Sequence, residues 1–213
     1  KDLLSAWILM GLNDEVNANL IFDKTAKVQG MAQFANFHRA MSQLAAEKFD
    51  QAQKTFSSIN SDQANPTRRS VIYHTKLLLS QSKFKEAQRL LEKWFGPTFD
   101  PEIENLFVNA TNEIVYPKTS FPKTNIAVAD VFHSIANLIS KEADPTFTLI
   151  YSRLAQYLDF KHVDSTLMTA DLLVELGQHN LAIKEHEKLS NSHPQFFASE
   201  LGRAEALRSS GKE

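Results

Sequence analysis

Apolar residues recur along this chain at spacings of three and four, in stretches about three turns long separated by short polar breaks, which is the period of amphipathic helices rather than of strands. The pattern predicts at least eleven helices and no sheet. In order, they cover residues 3–10, 14–26, 33–46, 50–59, 69–80, 85–95, 101–115, 126–140, 146–158, 162 or 164 to 175, 180–190 and 197–209. Their ends carry local stop and start signals. Asn13 or Asp14 is placed to cap the second helix, the polar SDQANPT at 61–67 closes the fourth, and Gly96 with Pro97 stops the sixth. Pro101 opens the seventh with Glu102 and Glu104 near its electropositive end, and Asp144 followed by Pro145 gives the ninth a cap and a first-turn proline.

These helices fall into a repeat. Sliding residues 164–211 along themselves by 34 positions superposes Ala170 on Ala204, Leu173 on Leu207 and Gly177 on Gly211. Upstream, the small residue of the first helix recurs as Ala6, Ala40, Thr75 and Ala136, and that of the second helix as Ala18, Ala52, Ala87, Thr148 and Ala182. Larger apolar residues keep the same phase: Leu9, Leu78, Ile139, Leu173 and Leu207 in first helices, Phe22, Phe56 and Leu91 in second helices. Small residues let two helix axes approach and the large ones fill the space beside that contact. One such pair cannot bury both apolar faces alone, so it needs neighbours.

The tracts SKFKEAQRLLEKW, EKFDQAQKTFSSI and LGQHNLAIKEHEKLSNSHP, with small residues at the crossing, Phe49 and Phe84 after the turn and Pro194 at the end, resemble tetratricopeptide repeats. The likeness is strong over residues 33–95 and 129–211 and weaker over 1–30. Gln43, Thr75, Pro145, His179 and His186 depart from the family's preferences. AVADVFHSIANLI followed by FTLIYSRLAQYLDF is similar to bacterial, multi-repeat members common in alphaproteobacteria, some of them exported. The resemblance implies an all-α, right-handed superhelical solenoid of antiparallel helix pairs, a single array over residues 1–213, with first helices lining a concave wall.

The rhythm breaks in the middle. Thr75 and Ala136 lie 61 residues apart, too far for one repeat and too near for two. Over residues 96–125 an incomplete repeat and crossover is expected: helix 101–115, then YPKTSFPKTN at 116–125, whose two prolines exclude a regular second helix. Two readings of that segment stand: a spacer with Tyr116 and Phe121 tucked against the helices, or a surface that reshapes a binding face. The chain begins without Met and stops at Glu213 after the first helix of a repeat, which reads as a piece of a longer protein. Compartment, cytoplasmic or exported, and oligomeric state stay open.

Composition narrows the chemistry. A net charge of -2, without a Lys/Arg cluster, gives no electrostatic footprint for nucleic acid. The absence of Cys removes disulfides and thiolate metal sites, and no apolar run reaches the roughly 18 residues that span a bilayer. Six unclustered glycines supply no phosphate loop, and there is no HExxH pair. His179 and His186 share a helical face without an evident third ligand, and Asp130, His133 and Ser134 share a helix without the order of a nucleophile, base and orienting acid. No catalytic residue, metal or cofactor is expected.

The expected function is therefore a noncatalytic protein-interaction scaffold that holds a peptide or helix of a partner on its concave face. What the family resemblance carries onto this chain as partner-binding positions is Trp7, Phe34, Phe37, Met41, Arg69, Ile72, Lys76, His133, Asn137 and Asp171. The Phe and Met side chains offer adaptable apolar area, and Arg69 and Lys76 offer orientation at its edge. Whether Trp7, Phe34, Phe37 and Met41 form a groove or a core is open at this stage. The alternative is a module that supports a catalytic or membrane-associated domain outside residues 1–213.

Overall fold

The structure, a computed structural model, describes residues 2–61 and 66–211, and among these it contains twelve α-helices, one 3-10 turn and no strand. The helices are α1 (Asp2–Gly11), α2 (Glu15–Ala26), α3 (Ala32–Ala45), α4 (Phe49–Ile59), α5 (Arg68–Ser80), α6 (Phe84–Phe95), α7 (Pro101–Thr111), α8 (Thr124–Ile139), α9 (Pro145–Leu158), α10 (Val163–Glu175), α11 (His179–His186) and α12 (Phe196–Ser209). The 3-10 turn, Lys118–Ser120, lies between α7 and α8. The polar break at 61–67 falls partly outside the described residues.

Two compact units divide the chain, Lys1–Ala127 and Val128–Glu213, with the boundary inside α8. In the first unit α1 packs on α2, α3 on α4 and α5 on α6, and first helices also meet one another, α1 with α3 and α5 with α7. In the second unit α10 packs on both α9 and α11, and α12 packs on α11 and α10.

Small residues explain why these axes approach. Ala6, Ala40, Thr75, Ala18, Ala52 and Ala87 in the first unit, and Ala136, Ala170, Thr148 and Ala182 in the second, are all fully buried. The large residues in phase with them, Phe22, Phe56 and Leu91, are fully buried as well, each removing apolar area worth about 1.5–3 kcal/mol. The last register slips. Ala204 is exposed and Ala206 is fully buried in its place. The cause is His186 at the end of α11: α12 turns Gly202 toward its ring, where a Cβ would lie 2.5 Å from Cε1. Ser199 and Ala206 then share the inward face.

The turns recur too. Asn13, Glu47, Ser82, Glu113 and Gly177 all have positive φ, between 55° and 70°. In each case the next residue donates its N–H five residues back, Asp14 to Leu9 O (2.8 Å), Lys48 to Gln43 O (2.8 Å), Lys83 to Leu78 O (2.9 Å), Ile114 to Asn109 O (2.8 Å) and Gln178 to Leu173 O (2.8 Å). This is a left-handed helix stop that satisfies the last carbonyls and returns the chain along the helix it has left. At Asn13, Glu47, Ser82 and Gly177 a second helix follows within two residues.

At Glu113 none follows. The stop ends α7 at Thr111 rather than at 115, and the chain continues through Tyr116 and the 3-10 turn to α8. Phe121 is buried, its ring 5.4 Å from that of Tyr116 and 6.0 Å from that of Phe49. The segment is thus packed, by ring contacts in place of a helix face. α11 is likewise shorter than expected, ending at His186 rather than 190, because the chain tightens into Lys188 N–H to Glu185 O and Leu189 N–H to His186 O bonds.

Candidate functional site

The residues placed on the wall by sequence separate into interior and surface. Trp7, Phe37, Met41 and Ile72 are 1, 3, 0 and 3% exposed. They are core residues, which corrects the reading of an apolar groove. The physical reason is His38: its fully buried ring is enclosed by Trp7, Phe34 and Phe37, with centroids 6.3, 4.9 and 5.3 Å away, and Trp7 Nε1 donates to His38 Nδ1 at 3.3 Å. An aromatic set that surrounds a buried imidazole has its area committed within the unit. Phe34, half-buried, is the member that keeps some surface.

Arg69 and Lys76 stay half-buried on α5, and between them stands Tyr73, one helical face at i, i+4 and i+7. The Arg69 guanidinium lies 5.8 Å and the Lys76 ammonium 5.4 Å from the centroid of the Tyr73 ring, and Phe37 supports that ring from behind at 6.1 Å. Lys76 also reaches Tyr116 at 5.9 Å and Glu102 Oε1 at 3.6 Å. Beyond Tyr116 come Phe121 and Phe49, and the Lys118 ammonium closes the row 4.8 Å over Phe49. Three cations thus lie over aromatic faces across α5, the packed segment after α7 and the start of α4: Arg69 and Lys76 over Tyr73, and Lys118 over Phe49.

Carboxylates fix the row on one side. Arg68 forms a fork with Asp100, Nη2 to Oδ1 at 3.1 Å and to Oδ2 at 3.0 Å, and reaches Glu102 Oε2 at 2.9 Å. Burial alone would lower the Arg68 pKa, but Glu102 and Asp100 outweigh it and the net direction is upward. Asp100 at the same time accepts from the N–H groups of Glu102 and Ile103 and so caps α7. Burial, with Glu102 adding to it, raises the pKa of the Tyr116 hydroxyl and keeps it neutral. Tyr73, Tyr116 and Lys118 were not placed with Arg69 and Lys76 by sequence. The i, i+4, i+7 spacing of Arg69, Tyr73 and Lys76 was a usable signal; the return of Lys118 to Phe49 was not, because nothing local in sequence links them.

In the second unit Asn137 and Asp171 are exposed, whereas His133 is buried. Surrounding protein raises the Asp171 carboxyl and nearby His186 opposes that. His133 belongs to an interior network. Its Nδ1 meets Ser165 Oγ at 3.2 Å, and its ring lies 5.0 Å from that of His162. His162 Nδ1 accepts the Ser165 N–H as the cap of α10, which leaves Nε2 to donate to Asp130 Oδ1 at 3.0 Å. Ser152, Thr169 and Gln156 extend the network to Glu185. Burial would raise the Glu185 pKa, but hydrogen bonds from Lys188, Gln156 and Arg153 hold it low. Asp130 thus serves His162, while Ser134 on the same helix stays outside this set.

His186 bonds Ser199 Oγ through Nδ1 at 3.1 Å, and burial lowers its pKa against the pull of Asp171 and Glu200. Among the described residues no three His, Asp or Glu side chains converge where a metal ion could sit, and no helix is long and apolar enough to cross a membrane. Comparisons of the chain with protein-family models, with curated proteins and with solved structures find no match.

Proposed function

We propose that this chain is a noncatalytic protein-interaction scaffold, a tetratricopeptide-like solenoid of helix pairs. One observation carries the reading: the same left-handed stop with the same five-residue-back hydrogen bond joins a first to a second helix at Asn13, Glu47, Ser82 and Gly177, which supports a helix pair as the repeated unit. Contacts of first helix with next first helix, α1 with α3 and α5 with α7 in one unit and α10 with α12 in the other, support placing first helices on the inner side of each curve.

On that inner side the partner-facing surface is the row Arg69, Tyr73, Lys76, Tyr116 and Lys118, rather than the buried Phe37 and Met41. Half-buried Arg69 and Lys76 held over an aromatic face are a chemistry suited to a peptide with acidic and apolar side chains. Affinity capture from the native cell tests this. Wild-type chain and Arg69→Gln/Lys118→Glu are compared: the variant is expected to recover at least tenfold less of a discrete partner with its melting temperature within a few degrees of wild type, and equal recovery overturns the assignment.

A second reading has its own support. Ile8, Leu12, Val16 and Leu20 on α1, α2 and their turn are 63, 71, 75 and 61% exposed, an apolar face that a further domain would cover. In that case the chain supports a neighbour. An added flanking segment that protects these four from solvent labelling would favour it.

A further inference from the structure

His186 holds the last helix by a contact that suits only a neutral ring. Its side chain, at the end of α11, is 3% exposed, and Ser199 of α12 meets it twice: the hydroxyl donates to the His186 carbonyl at 3.2 Å and lies 3.1 Å from Nδ1. A serine hydroxyl has one proton, and with that proton on the carbonyl its oxygen accepts from Nδ1–H. Nδ1 therefore carries the ring proton, and the Nε2 lone pair is left without a hydrogen-bond partner. Nε2 lies against the α12 backbone, where a Cβ on Gly202 would come within 2.7 Å of it.

Acid puts a second proton on Nε2. That N–H, and the charge that comes with it, would sit in the closed space against Gly202 with no acceptor. The charges that face the ring come from three helices. Burial is the largest influence and disfavours the imidazolium, as does Arg203 of α12; Asp171 of α10, Glu200 of α12 and Glu185 of α11 favour it, and the net direction is downward. Two of these carboxylates are committed elsewhere, Glu200 to Arg203 at 2.6 Å and Glu185 to Arg153, Lys188 and Gln156. The third, Asp171, has its own pKa raised by the surrounding protein, so its support for the imidazolium fades early as pH falls.

Little else anchors α12. It buries two residues, Ser199 and Ala206, where α10 buries six, and its pairs of Glu200 with Arg203 and Glu205 with Arg208 lie within the helix rather than across to a neighbour. We propose that α12 is an acid-released helix: protonation of His186 undocks it from α10 and α11 and uncovers Leu173, Ala182 and Ile183, on which Ala206 and Leu207 pack. The ring is neutral when docked and free to take a proton when released. Docking is therefore complete above the ordinary imidazole value of 6.5 and weakens as pH falls below it. α10 packs on α9 and α11 independently of α12, so the release is local.

Hydrogen exchange of the 213-residue chain, read peptide by peptide and corrected for its intrinsic pH dependence, tests this. Opening linked to one proton lowers protection by up to about tenfold per pH unit, so residues 196–209 are expected to lose roughly threefold or more between pH 7.5 and 5.5 while residues 163–175 keep theirs. His186→Gln, whose amide can still donate to Ser199, is expected to remove the difference between the two pH values. If that variant folds poorly, the wild-type ring decides, since its titration followed by NMR is expected below 6.5. Unchanged protection of 196–209, an equal loss over 163–175, the same pH response in His186→Gln, or a ring that titrates at or above 6.5 each overturns the proposal.

Discussion

Glu47 and Ser82 occupy the same left-handed corner of the backbone, φ 58° and 59°, one repeat apart, and the residue after each donates to the carbonyl five positions back, Gln43 and Leu78. A non-glycine residue pays about 1–2 kcal/mol for that conformation, partly offset by its smaller loss of freedom on folding. Glu47→Gly and Ser82→Gly are each expected to raise stability by about 0.5–1 kcal/mol, and Gly177→Ala to lower it by about 1 kcal/mol. Urea melts of the three variants check this; a loss on introducing Gly at 47 or 82 would mean that the side chain there is more than tolerated.

His74 sets an acid limit. Its ring stacks on Phe56 at 5.7 Å and is bonded to Asn60 and Gln53; burial first, and Lys83 second, lower its pKa to about 4 from 6.5. The folded chain holds this imidazole neutral while the unfolded chain protonates it below 6.5. Its contribution is therefore complete above that value and is lost as pH falls from 6.5 toward 4, about 3 kcal/mol in all. Stability measured across this window is expected to fall by that much more in wild type than in His74→Gln; parallel curves would contradict it.

Gly202 faces the His186 ring, and an added Cβ would lie 2.5 Å from Cε1 and 2.7 Å from Nε2. His186 is held by Ser199 and cannot withdraw freely. Gly202→Ala is expected to cost about 1–3 kcal/mol in denaturant melts, and Ala204→Leu, at an exposed position, less than about 0.5 kcal/mol. The reverse order would restore the register read from sequence.

Phe37→Ala is expected to destabilise by about 3–5 kcal/mol, since the ring is 3% exposed and packs on both His38 and Tyr73. A thermal melt shows this directly. An unchanged melting temperature would return Phe37 to the surface.

Helix positions and the small-residue ladder were legible in the sequence because both follow from local periodicity: ten of the small residues, from Ala6 to Ala182, are fully buried where the 34-residue frame put them. The left-handed stops carried a sequence mark at Gly177 and Asn13, residue types that tolerate positive φ, whereas Glu47, Ser82 and Glu113 carry none. The candidate site was less legible still. Periodicity places Phe37 and Arg69 on first helices alike, but not that His38 draws Phe37 inward while Tyr73 holds Arg69 and Lys76 at the surface. The end of α12 escaped for a similar reason, because the side chain that set its rotation, His186, belongs to another helix.

The central claim, a scaffold that binds a protein through the row on α5, is tested most directly by placing a photo-crosslinking amino acid at Tyr73 and, separately, at exposed Arg89 on α6 of the chain in its native cell. A discrete protein adduct from position 73 and none from 89 is the predicted result. Adducts from 89 alone, or from neither position while the full-length protein is folded, would contradict it.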